Sequence, residues 1–298
     1  MIIIYSNRIQ LVEDFDTFIP VGPNDLKIVK STISNNLNKI KGIDNVYVFS
    51  EHEKLKIKNT ISLENDFFPF DIRYIKDRLK NNIRSGWVYQ QLLKLYFPLL
   101  QNKKENVLAL DSDIYFTKKI SFFNSKKPIY TFSKEFHKPY FEHMKKLHPD
   151  FTRTINKSGI SHHMVFNKTI LKEIVAKVES FHSKQFYDVF LESIDQNQGA
   201  SASEYEIYFH FVTKNYNQKI NLRELKWKNT DKLTFYDFKN FDMLSLPHYA
   251  KTRPDNIFLH IKQNNFRKLM ITVNNFFKIF ILKILNFVTR YQHKIFKY

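Results

Sequence analysis

An apolar run that ends in two acidic residues is the feature that most constrains this chain. Residues 107–110 are all apolar, and Asp111 and Asp113 follow with one serine between them. Fully buried strands of α/β proteins have this near-continuous apolar character, and such proteins bind ligands beyond the carboxyl ends of their strands. Adjacent carboxylates repel each other unless a cation neutralises them, and hard oxygen ligands suit Mg²⁺ or Mn²⁺. The motif therefore predicts a metal-dependent nucleotide site; an ordinary solvated turn is the alternative.

The composition indicates a globular chain and excludes several kinds of site. With 298 residues, 43% of them apolar, the chain can bury one large α/β core. It has only five glycines and neither a Gly-x-Gly-x-x-Gly segment nor a Walker-type loop, which argues against a classical dinucleotide fingerprint and a P-loop. The absence of cysteine excludes disulfides, thiolate metal sites and thiol nucleophiles, and it fits a reducing compartment.

The charge indicates an anionic partner. A formal net charge of +18 favours nucleic acid, anionic lipid or phosphorylated substrates. We expect no nucleic-acid partner, because no recognisable nucleic-acid-binding signature accompanies the charge. The apolar run at residues 1–5 is too short for a secretory signal, so the expected location is cytoplasmic.

Strand and helix patterns alternate along most of the chain. A strand beginning near residue 15, a helix over 26–40 and a strand over 45–50 form a βαβ unit with parallel strands. Alternation of this kind predicts an α/β sheet covered by helices on both faces. The polar stretch 137–158 is expected to be a mobile loop. The other predicted elements are helices over 88–99, 168–181 and 203–214, and strands ending at 111 and spanning 128–132 and 162–166.

The last residues form a different kind of segment. At 100° per residue, the polar and basic residues of 266–298 fall on one side and the aromatic and aliphatic residues on the other. As a spanning helix it would place Lys278 and Lys283 in the hydrocarbon, at about 2.5–3.5 kcal/mol each. We therefore divide the chain into a domain over 1–262 and a tail over 263–298 that lies on an anionic membrane surface. Packing of the tail on the domain is the main alternative.

Five segments together resemble a known class of enzyme. They are residues 19–25, 84–94, 110–113, 163–166 and 203–206. Their order and spacing are similar to those of bacterial GT-A-fold glycosyltransferases of the capsule and lipopolysaccharide type, over about residues 14–262. The resemblance implies a Rossmann-like, mixed but mainly parallel sheet flanked by helices. It also implies a nucleotide-sugar donor, UDP-linked in our expectation, and a saccharide or glycolipid acceptor at the inner face of the cell membrane.

The resemblance implies a divalent metal at the paired carboxylates. Asp113 would be the direct ligand of Mn²⁺ or Mg²⁺, and Asp111 would reach the metal or the ribose through water. Such enzymes often add a histidine from the end of the domain, for which His248 is the first choice and His260 the second. The metal would neutralise the departing nucleoside diphosphate.

Other residues are expected around the donor and the acceptor. Two groups would contact the donor: a loop after the first strand, and polar positions that interrupt an apolar helix. These residues are Pro20, Val21, Asp25, Arg84, Gln90, Gln91 and Lys94. A tight turn and a solvent-facing helix stripe explain the same residues without a ligand.

Three residues are expected on the acceptor side. Glu204 would be the general base of an inverting transfer, with Glu206 and His163 binding substrate. Acidic residues are also common at helix N-termini for dipole reasons alone, and His163 has a purely structural interpretation. A retaining transfer needs no enzyme base, in which case Glu204 binds the acceptor.

Two other function classes stay open. The motif also resembles that of haloacid-dehalogenase-type phosphatases, whose first aspartate is phosphorylated. Against this, Tyr115 stands where those enzymes have Thr or Val, and no downstream acidic pair is evident. A non-enzymatic basic module that binds RNA or lipid is the third interpretation.

Overall fold

The computed structural model describes residues 14–81, 83–231 and 234–247, in which strands and helices alternate. The strands are β1 (Phe15–Pro20), β2 (Ile43–Phe49), β3 (Ile61–Leu63), β4 (Asn106–Leu110), β5 (Ile114–Phe116), β6 (Phe123–Asn124), β7 (Lys127–Phe132), β8 (His163–Asn167), β9 (Asn221–Glu224), β10 (Trp227–Asn229) and β11 (Met243–Ser245). The α-helices are α1 (Leu26–Leu37), α2 (Ile72–Arg78), α3 (Ser85–Tyr96), α4 (Lys138–Leu147), α5 (Lys168–His182), α6 (Phe186–Glu192), α7 (Glu204–Asn215) and α8 (Phe235–Asn240).

A mixed, mainly parallel sheet of order β3-β2-β1-β4-β8 forms the centre of the fold. Neighbours among β3, β2, β1 and β4 pair in parallel, and β8 pairs antiparallel with β4. All of β1 and the apolar residues of β4 are buried, which explains why neither strand alternates between apolar and polar residues. The expected α/β class and the parallel pairing of the first two strands are confirmed.

Aromatic packing attaches the helices to this sheet. Phe18 of β1 stacks on Phe97, just after α3, with ring centres 4.3 Å apart and the planes nearly parallel. Leu92, Leu93 and Leu95 of α3 are buried in the same core. Burial of rings and leucines on this scale supplies most of the hydrophobic driving force for the fold. It also holds α3 beside the end of β4.

Two small sheets complete the described structure. One has the order β10-β11-β5, with β11 antiparallel to β5, and the other has the order β6-β7-β9. Asn36 of α1 donates to the Ile114 carbonyl at 3.0 Å and accepts from the Phe116 amide at 3.0 Å. Thr32 of α1 donates to the Ser112 carbonyl at 2.7 Å. These buried hydrogen bonds anchor the turn between β4 and β5 to α1.

The expectation of a mobile loop over 137–158 is wrong for its first part. Residues 138–147 form α4, which buries His143, Met144 and Leu147 on one face and exposes lysines elsewhere. The buried positions follow helical spacing, but they are few and one is a histidine. The segment therefore resembles a polar loop by composition while it packs as an amphipathic helix.

The expected boundary at residue 262 and the whole tail lie outside the described residues, as do His248 and His260. In the part of the chain that the structure describes, no helix has both the length and the apolar character needed to cross a membrane.

Candidate metal and ligand site

Three potential metal ligands meet where β4 ends. One ligand atom from each of Asp111, Asp113 and His162 lies within 4.8 Å of the others. The antiparallel pairing of β4 with β8 brings the histidine there, and the Asp111 amide donates to the His162 carbonyl at 3.0 Å. Two carboxylates and one imidazole form a donor set that suits a divalent ion such as Mn²⁺. The residues present therefore fit the metal that the resemblance implies.

His162, which was not selected from the sequence, is the histidine beside the carboxylates, whereas His163, expected to bind substrate, is not. His163 is buried, and its Nε2 lies 2.8 Å from the Thr131 hydroxyl, among the rings of Phe116 and Phe122. His163 begins β8 and its side chain enters the core, whereas His162 lies just before the strand and faces the carboxylates. His162 also adopts the left-handed backbone region, with a φ of 61°, which residues other than glycine rarely do.

Lys94 lies between two carboxylates behind the candidate ligands. Its side chain is 3% exposed, and its ammonium pairs with an oxygen of Asp111 and, at 2.9 Å, with one of Glu204. Gln90 and the Tyr205 hydroxyl also donate to Asp111 Oδ1, at 3.2 and 3.0 Å. Gln90 and Lys94 thus have protein partners, whereas donor phosphates or sugar hydroxyls were expected as those partners. An ammonium this buried needs such pairing.

These contacts control the charges of the site. Burial opposes ionisation of Asp111, but Lys94 and His162 outweigh it and hold the pKa of Asp111 well below its usual range. Burial would lower the pKa of His162, yet the hydrogen bond and charge of Asp111 reverse this and raise it. Burial raises the pKa of the Glu204 carboxyl, and Lys94 offsets this only in part. These surroundings favour the ionised form of Asp111 and the protonated form of Glu204.

A cavity of about 730 Å³ opens over this group. It extends along the carboxyl ends of β1, β2 and β4 and over the start of α3, in the size range of small-molecule sites. Most of the residues selected from the sequence line it. They are Pro20, Val21, Asp25, Arg84, Gln90, Gln91, Lys94, Asp111, Asp113 and Glu204. Asp25 also accepts a hydrogen bond from the Ser112 hydroxyl, which ties the loop after β1 to the acidic turn.

Aromatic and acidic residues that the sequence analysis did not assign to the site line its mouth. The rings of Trp87 and Tyr140 lie 6.2 Å apart, and the Arg84 guanidinium lies 4.8 Å from the Trp87 ring centre. Glu135 lines the same cavity, and burial raises its pKa. Tyr140 belongs to α4, within the expected mobile loop 137–158, and Glu135 lies just before that stretch.

Glu206 lies behind the cavity and does not line it. It is fully buried, and its two oxygens accept hydrogen bonds from the Ser158 hydroxyl at 2.6 Å and the Gly159 amide at 2.9 Å. A Cβ atom on Gly159 would come within 2.5 Å of the Phe209 Cβ and 2.6 Å of the Tyr205 carbonyl. The hydrogen bonds to Glu206 and the close approach that Gly159 permits thus hold the segment before His162 against α7. A structural role explains Glu206 better than the expected substrate contact.

Comparison with known proteins shows a family. No curated protein matches the chain. Among solved structures, it is similar to the crystal structure of mouse xyloside xylosyltransferase 1 in its apo form, at 13% identity and a TM-score of 0.39. That similarity covers 82% of this chain and 99% of the mouse chain. Values this low say nothing of activity. The sequence model of a family of unknown function, DUF6492, matches residues 7–239, and the chain therefore belongs to the DUF6492 family.

Proposed function

We propose that the protein is a metal-dependent glycosyltransferase that moves a sugar from a nucleotide-sugar donor to a saccharide or glycolipid acceptor. The observation that carries this proposal is the Asp111–Asp113–His162 group at the end of a buried strand, facing a cavity of about 730 Å³. A cation-binding group at the carboxyl ends of parallel strands is where an α/β fold can hold a diphosphate. The resemblance of the five sequence segments to GT-A enzymes supports the same function.

In this proposal, Asp111, Asp113 and His162 hold Mn²⁺ or Mg²⁺, which when bound offsets the negative charge of the departing nucleoside diphosphate. Lys94 keeps Asp111 ionised in a buried position, so that a ligand oxygen is available over the whole physiological pH range. Arg84, at the rim of the cavity, supplies a guanidinium for the diphosphate. The loop of Pro20, Val21 and Asp25 receives the nucleoside.

Glu204 is the proposed proton acceptor if the transfer inverts configuration. It lines the cavity, and its raised pKa suits a group that takes a proton from an acceptor hydroxyl. Lys94 holds one of its oxygens, which orients the carboxylate. If configuration is retained, Glu204 instead binds the acceptor. We place the reaction at the cytoplasmic face of the membrane, in the synthesis of a surface polysaccharide or lipopolysaccharide.

Thermal unfolding with and without metal tests the function. We expect UDP to raise the Tm only when Mn²⁺ or Mg²⁺ is present, because the ion links the carboxylates to the diphosphate. At a ligand concentration of about 100 times Kd the stabilisation is about 2.7 kcal/mol. A nucleotide-sugar hydrolysis screen in the same buffers then identifies the donor.

Three results would contradict the proposal. Equal stabilisation by UDP without metal would remove the metal site. Phosphate release from a generic ester would favour the haloacid-dehalogenase-type phosphatase. Stabilisation by RNA or anionic lipid without metal, and none by nucleotides, would favour the basic binding module.

A further inference from the structure

A second cavity, of about 530 Å³, lies outside the proposed donor site. It is bounded by the end of β7, the turn between β9 and β10, and α8. Among its lining residues four are aromatic: Phe132, Trp227, Tyr236 and Phe241. Tyr236 is 64% exposed, an unusual position for so large a ring. The function proposed above does not use this cavity.

Trp227 connects the second cavity to the candidate metal ligands. Its ring meets that of His162 edge to face, with centres 4.7 Å apart. The His162 Nδ1 in turn lies 2.9 Å from Asp111 Oδ2. Asn229, at the other end of β10, lines the first cavity. A molecule that rests on Trp227 in the second cavity is therefore separated from the carboxylates by a single side chain.

The lining suits a saccharide. Sugars present apolar C–H faces and hydroxyl edges, so that aromatic rings interleaved with polar side chains match both. Ser133 and Asn240 supply a hydroxyl and an amide between the four rings.

The charges around the second cavity favour an anion. Lys134 and Lys226 line it, and Glu224 is the one acidic side chain among the described lining residues. A further ammonium, from Lys157, lies 3.8 Å from the ring centre of Phe132. Two lining ammonium groups against one lining carboxylate, with Lys157 nearby, favour a negatively charged ligand.

We propose that the second cavity binds a sugar unit of the acceptor next to the unit that reacts in the first cavity, and that the unit bound there is anionic, bearing a carboxylate or a phosphate. This inference rests on the proposed function, because it places the acceptor one side chain from the group that would hold the donor's metal. Trp227 and Tyr236 give the sugar ring its stacking surfaces. The ammonium groups of Lys134 and Lys226 form ionic contacts with the negative group of the ligand.

The two tryptophans of the chain allow a direct test. Trp87 lines the first cavity and Trp227 the second, so Trp87→Phe leaves a fluorescent reporter in the second cavity alone. We titrate this variant with methyl glucoside, glucuronate and glucose 6-phosphate, which differ chiefly at C6. Glucuronate and the phosphate should bind about fivefold more tightly than the neutral sugar, as one partly screened ionic contact predicts. The preference between them identifies the anionic group.

Matched variants separate the second cavity from the rest of the surface. In the Trp87→Phe background, Tyr236→Ala should weaken binding of all three sugars, and Lys226→Gln should reduce the preference for the anions. Phe181→Ala removes a ring that is 56% exposed, and Lys145→Gln removes a surface charge, both outside the two cavities, and these should change nothing.

The outcomes distinguish failure of this inference from failure of the proposed glycosyltransferase function. Equal binding of the three sugars, no quenching of Trp227, or equal losses in the control variants would overturn the inference. The Tm with UDP and Mn²⁺, measured on the unsubstituted protein, reports on the donor site. If that Tm rises while the sugars fail to bind, only the second cavity is misassigned. If the Tm does not rise, the proposed function fails and the acceptor assignment falls with it.

Discussion

At the scale of single residues, the two carboxylates of the acidic motif differ in their surroundings. Asp111 is surrounded by donors, since Lys94, Gln90 and Tyr205 reach one oxygen and His162 reaches the other. Removing Asp111 would leave a buried ammonium short of a partner, which costs several kcal/mol. Asp113 is therefore the better position for testing metal binding.

We expect Asp113→Ala to abolish transfer and the metal-dependent rise in Tm with UDP while the protein stays folded. The physical reason is the loss of a metal ligand from a set of three. Asp44→Ala is the matched control, because it also removes one carboxylate. Asp44 lies near the start of β2, at the end away from the first cavity, and pairs with Lys104. Full activity of Asp113→Ala would exclude the metal hypothesis.

Glu204 and Glu206 provide a second matched pair. Glu204→Gln keeps the shape and an oxygen for Lys94 but removes the basic group, so kcat should fall by about 10²–10⁴ and the acidic limb of the pH profile should disappear. Glu206→Gln should instead lower the Tm, because it weakens buried hydrogen bonds to Ser158 and Gly159, at a cost of about 1–3 kcal/mol. Unchanged kcat in Glu204→Gln would assign Glu204 to acceptor binding in a retaining reaction.

At the scale of elements, α7 holds the segment that carries His162. Gly159→Ala should cost about 1–3 kcal/mol of unfolding free energy and weaken Mn²⁺ binding, because the new methyl group meets Phe209 and a backbone carbonyl. Gly86→Ala in α3 is the control, since a Cβ there meets nothing within 4 Å. Denaturant unfolding and Mn²⁺ titration measure the two effects, and equal stability of the two variants would show that the close approach at Gly159 is unimportant.

The contact between α4 and α6 makes stability depend on pH. His143 is buried, its Nε2 lies 2.9 Å from the Phe190 carbonyl, and burial lowers its pKa from 6.5 to about 4. The folded state therefore favours the neutral ring. This stabilisation is complete above the unfolded pKa and is lost as the pH falls from about 6.5 towards 4, by an amount of the order of 3 kcal/mol. In His143→Gln the unfolding free energy should vary less over this interval; identical pH profiles would contradict the assignment.

Strong local patterns made several elements predictable. The apolar strand β4 and the helix α7, whose N-cap Ser203 accepts from the Glu206 amide, follow directly from residue order. The helix α4 could not be predicted because its buried face includes a histidine. Choosing His162 over His163 required the strand register, which depends on pairing with β4, a contact distant in sequence. The residues around the first cavity were found because they follow a strong strand or interrupt an otherwise apolar helix.

At the scale of the whole molecule, the net charge of +18 and the basic, aromatic tail both favour binding to an anionic membrane surface. Residues 266–298 combine basic and aromatic residues, so we expect their deletion to release the protein from vesicles that contain anionic lipid. Neutral vesicles are the control, and co-sedimentation measures the bound fraction. Unchanged binding after deletion would assign membrane attachment to the domain or exclude it.

The antiparallel course of β8 has a consequence for how sequences of this kind can change. Leu110 faces His163 across the ladder, and His162 thereby reaches Asp111 from the far side of a 50-residue excursion. Lengthening that excursion leaves the meeting point intact, whereas slipping the ladder by one position would carry His162 into the core place of His163. Ser161 would then stand beside the carboxylates, which would lose their imidazole. Such a slip preserves every letter of the sequence and still dismantles the site.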